Sequence, residues 1–481
     1  MGYAACLMRG RSTQHRLVIA VLALGLLAAA CNNSGSPPTS TVGTATPATA
    51  TSDATGTSPT TTESPSPTTQ GSAIDVPDVP TVTASAGIDQ AVVDRLTDQI
   101  VELVAVTEQV RGLPFLTQPI VAILTPDELA DRVRTDLEEE LDPDELAVDT
   151  RLLQLLGLLS PDDDLETMLL DLYSEQVAGF YDGDTGEMVI AGDASDLTPL
   201  TKSVVVHELV HALTDQHFLF NDDFEAMFDE ERFDEGAAFQ ALIEGDATYF
   251  QLLFIQELPL AEQLAVATEA LEQLNETPVM QSVPAWVQDD LAFPYDSGQV
   301  FVEALITAGG IAAVDAAYID RPVSTEVVMH PTRHSSGERI LQVEPAAVVL
   351  DGYEVHESST YGEWGFRILL SPSSEPGVVA QAANGWGGDS YQVVFDDDDV
   401  LMALTYKGDT EADAFELADA LIAHVTETMG LGEGVGDGGG LEFTAEDGRY
   451  AYVDRIGDGF VFVASTDAAA GASARLQLRV P

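Results

Sequence analysis

Cysteine is nearly missing from this chain. Two occur in 481 residues, Cys6 and Cys31, and both precede the first stretch with globular patterning. The folded part therefore holds neither a disulfide nor a thiolate-ligated metal; any metal there must be bound by His, Asp or Glu. Lysine is as scarce, with Lys202 and Lys407 the two examples. Only 19 basic residues stand against 81 acidic ones, a formal net charge of −62. That balance excludes nucleic acid as a partner, because neutralising phosphates needs cationic side chains. So acidic a surface repels itself at low salt and suits a salty habitat. The opening apolar run, Leu17 to Ala30, has fourteen residues, short of the ~20 of a membrane-spanning helix.

That run is a leader. Arg9, Arg11 and Arg16 give it a basic start, and it closes on Ala28-Ala29-Ala30-Cys31. Residues 1–30 thus read as a signal peptide, and the closing residues resemble a bacterial lipobox. The resemblance implies export, cleavage before Cys31 and lipidation there, which would attach the protein to the outer face of the membrane; simple secretion is the alternative. Residues 31–87 read as a disordered tether. Asn32 to Gly71 are almost all Ser, Thr, Pro, Gly and Ala, with Asp53 and Glu63 the charged exceptions. Such a stretch buries too little to offset its ordering entropy.

Two globular blocks follow, residues 88–345 and 346–481, and together they predict an α+β protein. The first is mostly helical with a small sheet. Its strand at Pro119 to Leu124 leads into Thr125-Pro126-Asp127-Glu128, a helix start with a capping box and proline at the first position. Gln176 to Ile190 reads as a hairpin around Asp182-Gly183-Asp184-Thr185-Gly186, a turn rather than a calcium loop. Asp234 to Leu258 reads as a long helix whose Ala237, Ala238, Ala241, Gly245 and Ala247 allow close approach of a neighbour. The second block is a smaller α+β domain. Its strands fall at Ser390 to Phe395, Leu401 to Tyr406, Leu441 to Thr444, Tyr450 to Asp454 and Phe460 to Ala464, and its helix spans Thr410 to Met429. Asp396 to Asp399 form a solvated turn between two strands.

The most informative residues are His207-Glu208-Leu209-Val210-His211, inside the apolar helical run Ser203 to Leu213. Imidazoles four residues apart lie about one turn apart on one helix face. Both can reach a single Zn²⁺, and Glu208 between them can take a proton from a water that the metal activates. A hydrolytic zinc needs a third protein ligand, and three residues compete. His217 has the spacing of the metzincin signature, but Thr214 stands where that signature has a turning glycine, and a continued helix rotates His217 away. Glu244 lies among Ala241, Leu242 and Ile243, on the side expected to be buried. Glu235 follows the acidic stretch ending at Asp234 and is expected to face water.

The segments His207 to Phe218, Glu244-Gly245-Asp246-Ala247 and Ser324 to Pro331 together resemble a family of exported bacterial gluzincin-type zinc metallopeptidases. Gln176 to Asp182 and Gly385-Trp386-Gly387-Gly388-Asp389 share the resemblance, which covers most of residues 90 to 400. It implies a zincin-like fold for the first block, with zinc held by His207, His211 and Glu244 and with Glu208 as catalytic base. The departure is Thr332-Arg333-His334, where a basic residue followed by tyrosine is expected. The implied activity is hydrolysis of a peptide or protein substrate. The oxyanion donor expected besides zinc is His330, with Tyr295 behind it, and Asp215 or Asp246 is expected to orient a ligand imidazole. The rival reading is a non-catalytic, zincin-fold scaffolding or binding lipoprotein.

Overall fold

The computed structural model describes residues 18–20, 79–176, 179–192, 196–275, 278–437 and 439–478. Cys31, and with it the proposed lipidation, lies outside the described residues, as does most of the leader and tether. The architecture is α+β, as the patterning predicts. A mostly helical part carries one small mixed sheet, and a second, antiparallel sheet belongs to the C-terminal part.

The first sheet has the order β1-β4-β5-β3-β2. Its strands are β1 (Val18–Ala20), β2 (Thr81–Ala84), β3 (Ile120–Leu124), β4 (Gly179–Asp182) and β5 (Glu187–Ala191). β2 and β5 flank β3 in parallel, while β4 and β5 form the expected hairpin. Asp182 Oδ1 accepts the N–H groups of Asp184 and Thr185. That is an Asx-type turn, and it explains the run of short polar residues there without a calcium ion. One boundary needs correction: the strand β2 lies inside the stretch read as tether. Thr81-Val82-Thr83 is β-branched and pairs with Ile120 to Ala122, a ladder that the sequence of a single short edge strand does not announce.

Four helices matter for the site, and each is named here by its role. The motif helix, Pro199–Phe218, starts on Thr198, whose hydroxyl accepts from the Thr201 N–H, with proline at its first position. It ends at Leu219 in the left-handed region. The carboxylate helix, Phe233–Glu257, packs against it. The partner helix, Ala285–Gly309, packs against the carboxylate helix at very short range. A Cβ added to Gly298 would lie 2.0 Å from the Ala241 carbonyl oxygen, and one on Gly245 would lie 2.2 Å from the Gly298 carbonyl carbon. Only two facing glycines permit that approach. The N-terminal helix, Gln90–Arg111, closes the group, and Arg111 is buried against Asp246 and Asp315.

The second sheet has the order β6-β7-β8-β12-β11-β10-β9. It comprises β6 (Glu354–Ser359), β7 (Trp386–Phe395), β8 (Val400–Gly408), β9 (Val435–Asp437), β10 (Gly440–Thr444), β11 (Tyr450–Ile456) and β12 (Gly459–Ser465). The helix Glu411–Glu427 covers one face, capped by Thr410 through the Asp413 N–H. The two blocks share one core. Leu152, Leu156 and Leu169 of the first pack into a continuous cluster with Tyr391, Leu404, Leu417 and Leu421 of the second. Buried His424 bonds the Leu156 carbonyl at 2.8 Å across this junction. No helix among the described residues is long and apolar enough to cross a membrane.

Candidate metal centre

His207, Glu208, His211 and Glu244 are all inaccessible to solvent. Helical spacing places the two imidazoles on one face of the motif helix, with ring centroids 4.7 Å apart, and the carboxylate helix brings Glu244 to them. Glu244 Oε2 lies 3.1 Å from His207 Nε2 and 3.3 Å from His211 Nε2. Donor atoms ~2.0–2.1 Å from a tetrahedral ion are roughly 3.3 Å from one another. Glu244 therefore already stands at ligand-to-ligand distance from both imidazoles, and all three ligand atoms lie within 4.8 Å of one another.

A chain of hydrogen bonds fixes the His207 tautomer. The Ser203 hydroxyl donates to the Leu200 carbonyl, and the Gln251 amide nitrogen donates to Ser203 Oγ. Gln251 Oε1 thus accepts from His207 Nδ1, 3.2 Å away, which leaves Nε2 with a lone pair. That lone pair faces the Glu244 carboxylate. Two acceptors in contact repel unless a cation lies between them, and both His211 ring nitrogens and Glu244 Oε1 also lack hydrogen-bond partners. In a dry interior such orphaned groups are costly. A divalent metal held by His207 Nε2, one His211 nitrogen and the Glu244 carboxylate relieves that repulsion, so the residues present fit it.

The electrostatics agree. Burial pushes the His207 pKa down, against the pull of Glu244, and keeps the imidazole neutral as a ligand must be. Burial would raise Glu244, but positive charge on the imidazole side, at His211 first, outweighs it and holds the carboxyl at about 2, the part a cation would play between neutral imidazoles. Glu208 goes the other way: burial, then the Glu244 charge, push it well above the usual carboxylate range, opposed by the Tyr181 backbone amide. Two carboxylates a few residues from one centre thus differ sharply in proton affinity, the pattern of an acid/base group beside a ligand.

The other sequence candidates separate cleanly. The motif helix runs on through Thr214, as its β-branched side chain favours over a turn, and His217 Nε2 bonds the Pro114 carbonyl at 2.7 Å instead of joining the centre. His217→Ala is therefore expected to keep the full metal content, measured by elemental analysis. Glu235 pairs with Arg232 at 2.9 Å near the surface. Asp215 accepts from the Tyr181 hydroxyl, while Asp246 accepts from Arg111 and Tyr318. The residue that orients an imidazole is Gln251, which sequence reasoning missed. Its signal was available: seven residues past Glu244 is two helical turns on the same face. Of the two candidate donors, Tyr295 is buried with its ring 6.1 Å from that of His207, one turn before Gly298 on the partner helix. His330 bonds Glu363 at 3.0 Å, in a separate polar cluster.

That second cluster is structural. Asp234 accepts from the Thr325 N–H and hydroxyl, and Asp389 accepts from the Tyr361 and Gly362 N–H groups and the Trp386 indole. The Gly385 to Asp389 motif thus ties the second sheet to a helix start. Burial pushes Asp234 up to about 7 despite its hydrogen bonds. The unfolded value is near 3.9, so between these limits the folded chain keeps a proton that the unfolded chain has lost. Stability from this group is full below pH ~4 and falls as pH rises through about 7. Asp234→Asn removes that loss. The melting point of the variant relative to wild type is expected to climb between about pH 4 and pH 7 and to level off above; a difference that shrinks over this range would contradict the assignment.

Comparison with known proteins adds little. Residues 350–475 match the model of a domain of unknown function, DUF8575. No curated protein matches the sequence. Among solved structures, one from Chloroflexus aurantiacus, described as a "putative hydrolase with a novel fold", is similar at 16% identity and a TM-score of 0.34, covering 52% of this chain and 92% of that chain.

Proposed function

We propose that the chain is a zinc-dependent peptidase of the gluzincin type, with His207, His211 and Glu244 as metal ligands. The observation that carries this reading is the convergence of His207 Nε2, His211 Nε2 and the Glu244 carboxylate, with His207 Nδ1 bonded to the Gln251–Ser203 relay and Glu208 buried on the same helix. Zinc, when bound, supplies a Lewis acid that polarises the scissile carbonyl and acidifies water. Glu208 takes the proton from the attacking water and delivers it to the leaving amine, and its raised proton affinity suits a group that holds a proton between those events. Tyr295, whose ring lies 6.1 Å from that of His207, is the donor we assign to the developing oxyanion. Burial around all four groups excludes competing water and strengthens these interactions. β4 packs on the motif helix through Tyr181 and Asp215, so an extended peptide adding along β4 would lie beside Glu208. In the full chain Val18–Ala20 pair along that edge, and signal cleavage would free it. By the same reading the mature protein is exported and held at the membrane by lipid on Cys31.

One observation favours the alternative, a non-catalytic scaffold: the centre is closed to solvent, so a substrate reaches it only if covering elements move. The test uses the mature chain with zinc and an unstructured protein substrate. Cleavage that stops with chelator and returns with zinc supports the peptidase. Zinc binding without cleavage at any pH from 5 to 9 supports the scaffold.

A further inference from the structure

A second group of metal-ligating side chains lies where the two blocks meet, independent of the first centre. Asp149 comes from the helix Pro143–Leu155 of the first block, and His356 and Glu357 come from β6 of the second. One ligand atom from each lies within 4.8 Å of the others. His356 Nε2 is 2.8 Å from Asp149 Oδ1, and the side chains of Asp149 and His356 are each 9% exposed.

The backbone is built to bring these residues together. Adjacent residues of a regular strand point to opposite faces, so a half-buried His356 beside a buried Glu357, both reaching Asp149, does not fit plain pleating. The β6–β7 register shifts at this point: Val355 pairs with Val394 and Glu357 with Val393, leaving His356 as the extra residue of a bulge. A bulge re-aims a side chain in this manner and recurs beside functional sites. The helix that carries Asp149 is held at the same edge by Arg151, whose guanidinium donates to the Asp396 and Asp397 carbonyls.

We propose that Asp149, His356 and Glu357 form a structural site for a divalent transition ion, Zn²⁺ or Mn²⁺, that staples the two blocks together. One imidazole and two carboxylates suit such ions, whereas a calcium site is built from oxygen ligands alone. The 2.8 Å contact needs to open by only about 0.5 Å to admit a tetrahedral ion. Asp149 and His356 are 207 residues apart in sequence, and the described residues include no cysteine, so an ion here would join distant parts of the chain where no disulfide does.

The test is zinc stoichiometry and thermal stability of the full chain after chelator treatment, probed with Zn²⁺ alone. Wild type is expected to take up two equivalents, and His356→Ala and Glu357→Gln one each, with peptide cleavage unchanged at saturating zinc. In a His207→Ala, His211→Ala background one equivalent is expected to remain and to raise the melting temperature by several degrees, and adding Glu357→Gln abolishes both. Glu357→Gln keeps the shape of the side chain, so it remains informative if His356→Ala fails to fold. Uptake left at the wild-type level by Glu357→Gln would overturn the proposal, as would a zinc-independent melting temperature in the His207→Ala, His211→Ala background. Equal stabilisation by Ca²⁺ would overturn the choice of ion. Neither readout depends on peptidase activity.

Discussion

Glu208→Gln is expected to lower cleavage of an unstructured protein by roughly 10²–10⁴-fold, the range for a lost general base, while zinc content stays at the wild-type level. The amide keeps the shape of the side chain but cannot take a proton. Its second signature is thermal. Glu208 is buried, and the Tyr181 backbone amide is the one group that favours its charged form. At neutral pH the apo protein must either ionise it in a dry site or hold a proton that the unfolded chain releases. Removing the charge relieves this, so the chelated variant is expected to melt at or above the wild-type temperature. Loss of activity with gain of stability marks a residue kept for chemistry. Equal activity in both proteins would remove Glu208 from the mechanism; a variant that loses zinc would assign it a structural role instead.

Gly298→Val is expected to have the largest effect on the fold. Its Cβ would stand 2.0 Å from the Ala241 carbonyl oxygen and 3.0 Å from the Gly245 Cα, against backbone rather than a yielding side chain. The partner and carboxylate helices must separate, and overpacking of this kind costs about 1–3 kcal/mol or more. Glu244 adjoins Gly245 on one of those helices, and Tyr295 precedes Gly298 by one turn on the other. The same substitution is therefore expected to weaken zinc binding at least tenfold, measured by competition with a chelating dye. A variant with wild-type melting and zinc affinity would show that the contact does not position the centre.

What could be read from the sequence follows how local the physics is. His207, Glu208 and His211 share one helix, so their geometry is set by a 3.6-residue repeat and needs no knowledge of the fold. Glu244 was legible as a carboxylate in an apolar run, and Glu235 as its solvent-facing rival; the structure puts them on those sides. Gly245 stood out as a small residue, but Gly298, which faces it, did not, because helix approach is a tertiary fact. β6 went unread for a related reason. Glu354 to Ser359 is polar, lies at the sheet edge and has its alternation broken by the bulge at His356. The helix Pro376–Ala383 was too short and small in composition to assign. Asp389, in the Gly385 to Asp389 motif, turns out to accept the N–H groups of a distant helix start, a partnership with no sequence period. His330 was placed by its position before Pro331, downstream of the ligands, and its contact with Glu363 across 33 residues follows from packing alone.

The most direct measurement is the zinc content of the purified mature protein beside Glu244→Ala and Glu235→Ala, with the Asp149–His356–Glu357 site removed by Glu357→Gln in all three. The account predicts one tightly held equivalent in the parent and in Glu235→Ala, and loss of that equivalent in Glu244→Ala. Retention of zinc by Glu244→Ala at the parent's affinity, or a parent that holds none, would contradict it.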